Sequence, residues 1–445
     1  MFWDVEAGFV SGTRKEGDAV NSKSFALKGT VCYSEDLHKL VTAENAWVVC
    51  EDGQCAGVFL KLPEKYAGIP CRDVGDSLII PGMTDLHLHA PQYSFRSIGM
   101  DLELLEWLDN MAFPEESGYA DLEYAKKAYS IFAEDLKKSA TTRASVFATL
   151  HVPATELLME LLNDTGVKAY VGKVNMDRNG PDTLQEENAK VSAEATERWI
   201  SDTLEKYENV KPILTPRFTP SCTDELMEVL GRLQKQYHLP VQSHLSENFG
   251  EIAWVKELCP GTKFYGEAYD MFGLFGGDDC PTIMAHCVHC PDEEIERMKK
   301  RGVYIAHCPQ SNTNLSSGIA PVRRYLDEGL KMGLGSDIAG GTSLSILRAM
   351  ADAIQVSKLR WRLVDDSLKP LTLEETFYLA TVGGGAFFGK VGSFQKGYEF
   401  DAVILDDTNL AHPQKLTAKQ RLERLVYLSD DRNITGKYVS GNKIF

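Results

Sequence analysis

The chain has 445 residues, enough for a large barrel or two to three average domains, and its 43% hydrophobic and 25% charged content excludes disordered, collagen-like and coiled-coil proteins. Its 47 Lys and Arg against 64 Asp and Glu leave a net charge of −17, which repels phosphate polymers and anionic lipid and so argues against nucleic acid or membrane as a partner. No apolar run approaches the roughly 18 residues that a membrane span needs.

In chain order, residues 1–17 alternate apolar residues with acids and glycines and lack the basic start and greasy middle of an export signal. The ten cysteines are scattered between Cys32 and Cys308, so reduced thiols in the cytoplasm are expected rather than a disulfide framework. Residues 14–24 read as a polar loop. Short strand-like runs follow at 27–32, 47–50 and 58–62, with a turn at Glu51-Asp52-Gly53.

From about Gly75 to Asp337 eight β-rich runs alternate with amphipathic helical segments: 77–89, 144–150, 167–174, 210–218, 239–245, 282–287, 303–308 and 332–336. Leu122–Lys138 carries apolar residues three and four apart, and Asp224–Tyr237 is entered through the capping candidate Thr223. Eight βα units in roughly 260 residues predict an α/β fold of the (β/α)8 TIM-barrel type. The tail returns to strand-like texture at 400–405, 424–427 and 437–445. Neither flank can make its own core, so both ends are expected to meet in one small composite β-sandwich. The predicted division is 1–76 and 391–445 for the small domain and 77–390 for the barrel.

Barrel enzymes carry their reacting groups at the carboxyl ends of strands. His87 and His89 end the first run, two apart and so on one face; His244 ends the fifth, His286 the sixth, and Asp337 follows the eighth. A lone histidine is commonly a packed core residue, but four histidines and an aspartate at strand ends point to a metal centre. Imidazole and carboxylate are the ligand set of catalytic zinc.

Several segments carry a resemblance. They are His89-Ala90-Pro91-Gln92-Tyr93, Leu104-Leu105-Glu106-Trp107-Leu108, Phe113-Pro114, Pro216-Arg217-Phe218, His244-Leu245-Ser246-Glu247, His307-Cys308-Pro309 with Ser311-Asn312, and the stretch from Ser336 to Gly341. From about residue 28 to the end, the sequence resembles the amidohydrolase superfamily, and within it the branch that deaminates the purine guanine. The resemblance implies hydrolysis of guanine to xanthine and ammonia, and a homodimer. Relatives with two metals bridge them by a carboxylated lysine on the fourth strand. Here that strand ends in Arg217, so one zinc per chain is implied, held by His87, His89, His244 and Asp337. Lys173, the one tempting substitute, reads as structural or solvent-facing.

Of the remaining roles, His286 would orient water or substrate. Glu247 would protonate N3 of the purine, and Asp337 would take the proton of the attacking water. Arg217 suits the O6 carbonyl with its rigid fork of donors, and Gln92 offers both a donor and an acceptor. Phe218 could stack on the base. The expected substrate-contacting set is His89, Ala90, Pro91, Gln92, Arg217, Phe218, His244, Glu247 and Asp337. An aminohydrolase of adenosine derivatives or triazines, or a catalytically silent scaffold, are the alternatives.

Three signals are discounted. Residues 384–391 lack the hydroxyl a phosphate loop needs after Lys390 and read as a glycine-rich helix exit. Cys287 and Cys290 lack a second pair to complete a structural zinc site. Glu293-Glu294 with Lys299-Lys300-Arg301 read as a solvated helix face.

Overall fold

Strands buried on both faces need helices around them, and the eight runs supply the strands of such a ring. In the computed structural model, which describes residues 24–445, they are β1 (Met83–His89), β2 (Thr141–Phe147), β3 (Lys168–Gly172), β4 (Val210–Pro212), β5 (Val241–Leu245), β6 (Thr282–His286), β7 (Tyr304–His307) and β8 (Lys331–Leu334). The expectations for 1–17, and for 14–24 apart from Ser24, lie outside the described residues. Strands β1 to β4 pair in parallel in chain order, as do β5 to β8. Leu214 joins the two halves, taking its N–H to the Pro240 carbonyl at 3.0 Å and accepting from Gln242 at 2.9 Å. The ring closes beyond β8, where Asp337 N–H reaches the His87 carbonyl at 2.9 Å and His89 N–H the Ile338 carbonyl at 3.0 Å. Among the outer helices, Leu122–Lys138 is capped by the Asp121 carboxylate and Asp224–Tyr237 by the Thr223 hydroxyl.

Two of the sequence runs divide. The run at 77–89 belongs to two sheets: Cys71–Pro81 is a strand of the small domain, and β1 begins only after Gly82. A Cβ at Gly82 would lie 2.1 Å from the Thr142 hydroxyl oxygen, so the chain passes here only without a side chain. The run at 210–218 is interrupted because Pro212 and Pro216 have no N–H for a ladder; after β4, Thr215–Pro216 pairs separately with Val174–Asn175.

Strands from both flanks form one seven-stranded sheet. They are Phe25–Ser34, Leu40–Glu51, Gln54–Phe59, Cys71–Pro81, Ala402–Leu405, Ile434–Val439 and Asn442–Lys443. The turn expected at 51–53 is a tight hairpin with positive φ at Asp52 and Gly53. Phe25–Ser34 and Ile434–Val439 are three places apart in the sheet, about 14 Å if it were flat. Yet the Phe25 ring lies 5.2 Å from both Phe400 and Tyr438. The sheet therefore curls round an aromatic core, and its edge strand Gln54–Phe59 bonds back to the segment before Ala402, with Cys55 N–H to the Tyr398 carbonyl at 2.7 Å.

One flank expectation is corrected: 424–427 is not a strand but lies in the helix Ala418–Leu428. Thr417 and Gln420 form a capping box, and Leu422, Leu425 and Val426 recur at helical spacing on a buried face. Four residues of strand-like composition were too short a window to show that period. The stretch at 384–391 ends a helix in a turn, and a Cβ at Gly333 of β8 would come within 2.6 Å of the Gly384 Cα, so the two backbones touch. No helix among the described residues is long and apolar enough to cross a membrane.

Candidate active site

The alternation of β1 brings His87 and His89 to one rim, with their rings 4.9 Å apart and perpendicular. His244, at the end of β5, donates from Nδ1 to the Arg217 carbonyl at 2.6 Å, which leaves Nε2 as a bare lone pair. That atom faces His89 Nε2 at 3.2 Å. Asp337, in the loop after β8, sets Oδ1 3.1 Å from His87 Nε2 and 3.7 Å from His89 Nε2, and Oδ2 3.7 Å from His286 Nε2. The donor atoms of His87, His89 and Asp337 lie within 4.8 Å of one another, as do those of His87, His244 and His286. The Phe147 ring backs the group, 4.5 to 5.0 Å from His89, His244 and His87.

Imidazole nitrogens and a carboxylate converging on one point fit a cation, and His87 Nδ1 is buried without a hydrogen-bonding partner. Burial and the neighbouring imidazoles push His89 and His244 far below the usual histidine range, into the neutral, ligating form. Burial opposes the Asp337 charge, but His87, His286 and His89 hold its carboxyl well below the usual range. This His/Asp cluster could hold one metal ion.

His286, ending β6, is oriented through Nδ1 by the Asn312 amide oxygen at 2.9 Å and presents Nε2 to Glu247 Oε2 at 3.3 Å. Burial alone would lower His286, yet the Glu247 and Asp337 carboxylates raise it overall. Glu247 accepts from the Ser317 hydroxyl at 2.9 Å, and its own N–H donates to Glu251 Oε2 at 3.0 Å. Burial pushes its carboxyl up to about 7, so at neutral pH it can carry a proton into the cavity.

The cavity above the cluster is lined by His89, Gln92, Arg217, Phe218, His244, Glu247, His286 and Asp337, with Leu104, Trp107 and Leu315 among its apolar walls. The structure thus gathers most of the sequence-predicted residues on one space. Ala90 and Pro91, expected against the substrate, do not line it: they are buried in the short helical turn Ala90–Phe95 that aims Gln92. His87 lies beneath, fully buried. Lys173 is not solvent-facing; it is buried and donates to the Glu186 carboxylate.

Sequence reasoning missed Glu116. Its carboxylate takes both ends of the Arg217 guanidinium, Nη1 on Oε2 and Nη2 on Oε1 at 3.0 Å, and accepts from Gln92 Nε2 at 2.8 Å. The only signal was its place two residues beyond Phe113-Pro114, whose Phe113 ring lies 4.9 Å from the guanidinium. Also missed was Cys308, whose sulfur falls within 4.8 Å of donor atoms of His286 and Asp337. Burial and Asp337 keep its thiol well above the usual range and protonated.

Residues 78–444 match the amidohydrolase family. The chain is 40% identical to the guanine deaminase of Dictyostelium discoideum over 94% of its own length and 97% of that protein. It is 39% identical to the human guanine deaminase over 86% of its length and 87% of the relative's. Among solved structures, the guanine deaminase of C. acetobutylicum with guanine bound in its active site superposes with a TM-score of 0.92 at 50% identity, covering 95% of this chain and all of that one.

Proposed function

We propose that this chain, which belongs to the amidohydrolase family, deaminates guanine hydrolytically, giving xanthine and ammonia. The observation that carries the reading is the meeting in one cavity of a bare His/Asp cluster, a carboxyl able to stay protonated at neutral pH, and an arginine and glutamine fitted to a purine edge. The ion we assign is one zinc per chain, with His87, His89, His244 and Asp337 as its ligands, because nitrogen and carboxylate donors suit it best. Bound there, it would supply Lewis acidity and draw the pKa of a coordinated water towards neutrality.

The other steps belong to the chain. The aromatic ring resists addition at C2 until a ring nitrogen is protonated, and Glu247 delivers that proton to N3. Asp337 accepts the proton lost by the attacking water. Glu247 or Asp337 then returns one to the amine, which leaves as ammonia. His286, tied to Asn312, orients the water or the ring. Arg217 donates to O6, Gln92 meets the purine edge and Phe218 stacks on the base. The barrel, which begins after Gly82 and runs to about residue 390, carries the chemistry, and the flanks 24–81 and 391–445 brace it. A homodimer, which the family resemblance implies, and a cytoplasmic location, in keeping with ten unpaired cysteines, complete the reading.

Ammonia release from a panel of purines and pyrimidines, with and without a chelator, tests the proposal. Guanine should be the preferred substrate, turnover should stop on chelation, and zinc should restore it. Preference for an adenosine derivative or a triazine would overturn the substrate assignment. Metal-free protein with no turnover of any substrate after zinc is added would mark a silent scaffold.

A further inference from the structure

Two groups that face the cavity, Arg217 and Gln92, are held by one carboxylate that does not line it. Glu116 is 1% exposed, comes from the short helix Phe113–Ser117 outside the barrel, and reaches Arg217 across 101 residues of sequence. Its contact with Gln92 matters because a glutamine amide can be turned over, exchanging donor for acceptor at almost no steric cost. Here it cannot turn. Nε2 donates to Glu116 Oε1 at 2.8 Å, and Oε1 accepts the Ala339 N–H at 3.0 Å. An ionised carboxylate only accepts and a backbone N–H only donates, so the flipped amide would set oxygen against oxygen and hydrogen against hydrogen.

The clamp leaves Gln92 one N–H and one lone pair for a ligand, in a fixed order. A 6-oxo purine offers an acceptor at O6 beside a donor at N1; a 6-amino purine offers the reverse order. An amide free to turn would serve both. We propose that Glu116 is a positioning residue that selects the 6-oxo purine, by fixing the amide of Gln92 and the fork of Arg217 in a single donor–acceptor pattern. The inference rests on the reading of the cavity as a guanine site. It adds that selectivity at the six-position is imposed from outside the cavity by an acceptor-only side chain.

The test compares guanine with 2,6-diaminopurine, which carries the same leaving amine at C2 but an amine at C6. Water replaces that C2 amine to give isoguanine and ammonia, and chromatography identifies the product. Glu116→Gln keeps the volume but offers an amide that accepts or donates, so one of the two locks on Gln92 is lost and a turned amide is opposed by the Ala339 N–H alone. The ratio of kcat/KM for guanine to that for diaminopurine should fall by about tenfold or more, with the diaminopurine value equal to or above that of the unmodified protein. Because Glu116→Gln leaves a buried guanidinium without its charge partner, thermal unfolding and metal content are measured alongside. Should it not accumulate folded, Glu116→Asp decides instead. It keeps the charge beside Arg217 but withdraws the oxygens by about 1.5 Å, roughly one C–C bond, and the ratio should fall in the same direction. A folded variant whose two kcat/KM values drop together, leaving the ratio within twofold, overturns the inference and leaves Glu116 a structural brace. Failure of the unmodified protein to release ammonia from guanine would instead overturn the site reading beneath it.

Discussion

Burial pushes the Glu247 carboxyl up to about 7, against an ordinary value of 4.5, with His286 pulling it down and Asp337 and Glu251 adding to the rise. The protonated form is therefore present below pH 7 in metal-free protein and is lost as pH rises through that value; a bound dication lowers the midpoint, because positive charge favours the carboxylate. Difference infrared spectroscopy should show protonated-carboxyl intensity that fades near pH 7, with the Glu247 share shifting to lower pH on zinc loading and lost in Glu247→Gln, while Asp85, also pushed up to about 7 by burial, keeps its own. The same variant should lose about 10² to 10⁴ in kcat, the usual range for general acid catalysis, while binding the same amount of metal. Unchanged kcat would remove Glu247 from the chemistry. At this scale Glu247 was legible because it follows His244 by three positions, in the same strand-end segment. Glu116 was not, since nothing local in the sequence couples it to residue 217.

Elements follow their local chemistry until a neighbouring element intervenes. The run 77–89 is uniformly strand-like, yet it crosses between two sheets at Gly82, where Thr142 leaves no room for a Cβ. Gly82→Ala should therefore cost about 1 to 3 kcal/mol, the range for an overpacked core, and lower the thermal midpoint. Adding Thr142→Ala should recover part of the loss, because the blocking oxygen and methyl both belong to Thr142. No loss in Gly82→Ala would mean that the two strands can part there. The helix Ala418–Leu428 shows the converse: its capping box and apolar spacing are fully local, and only the short window at 424–427 concealed them.

The two parts of the molecule are held together below the barrel, away from the site. Arg143, near the start of β2, bonds Asp401 through Nε at 2.7 Å and Nη2 at 3.0 Å, and Glu399 at 2.8 Å. Lys437 Nζ, fully buried, donates to the carbonyls of Leu136, Ser139 and Thr141 at 3.0, 3.0 and 2.5 Å. A buried guanidinium that loses its partner cannot be rescued by water. Asp401→Asn, which leaves Arg143 the partly exposed Glu399 as its remaining charge partner, should destabilise the protein by about 1 to 3 kcal/mol in denaturant titrations. Metal content and KM for guanine should be unchanged in the folded fraction, because this network joins the opposite end of the strands from the site. A changed KM with intact stability would refute that separation.

Hydrophobic period and strand-end chemistry are local properties, and the amino-acid sequence alone determined what depends on them: eight βα units, two flanks too small to stand apart, and histidines and an aspartate at the strand ends. The folded chain decided what depends on contacts between distant residues. It set where one apolar run changes sheets, how seven strands curl round a shared aromatic core, and which of the residues after His89 reaches the cavity. It also decided that Glu116 holds both Arg217 and Gln92, since a hydrogen bond formed across about a hundred residues leaves no period, spacing or composition for a linear reading to detect.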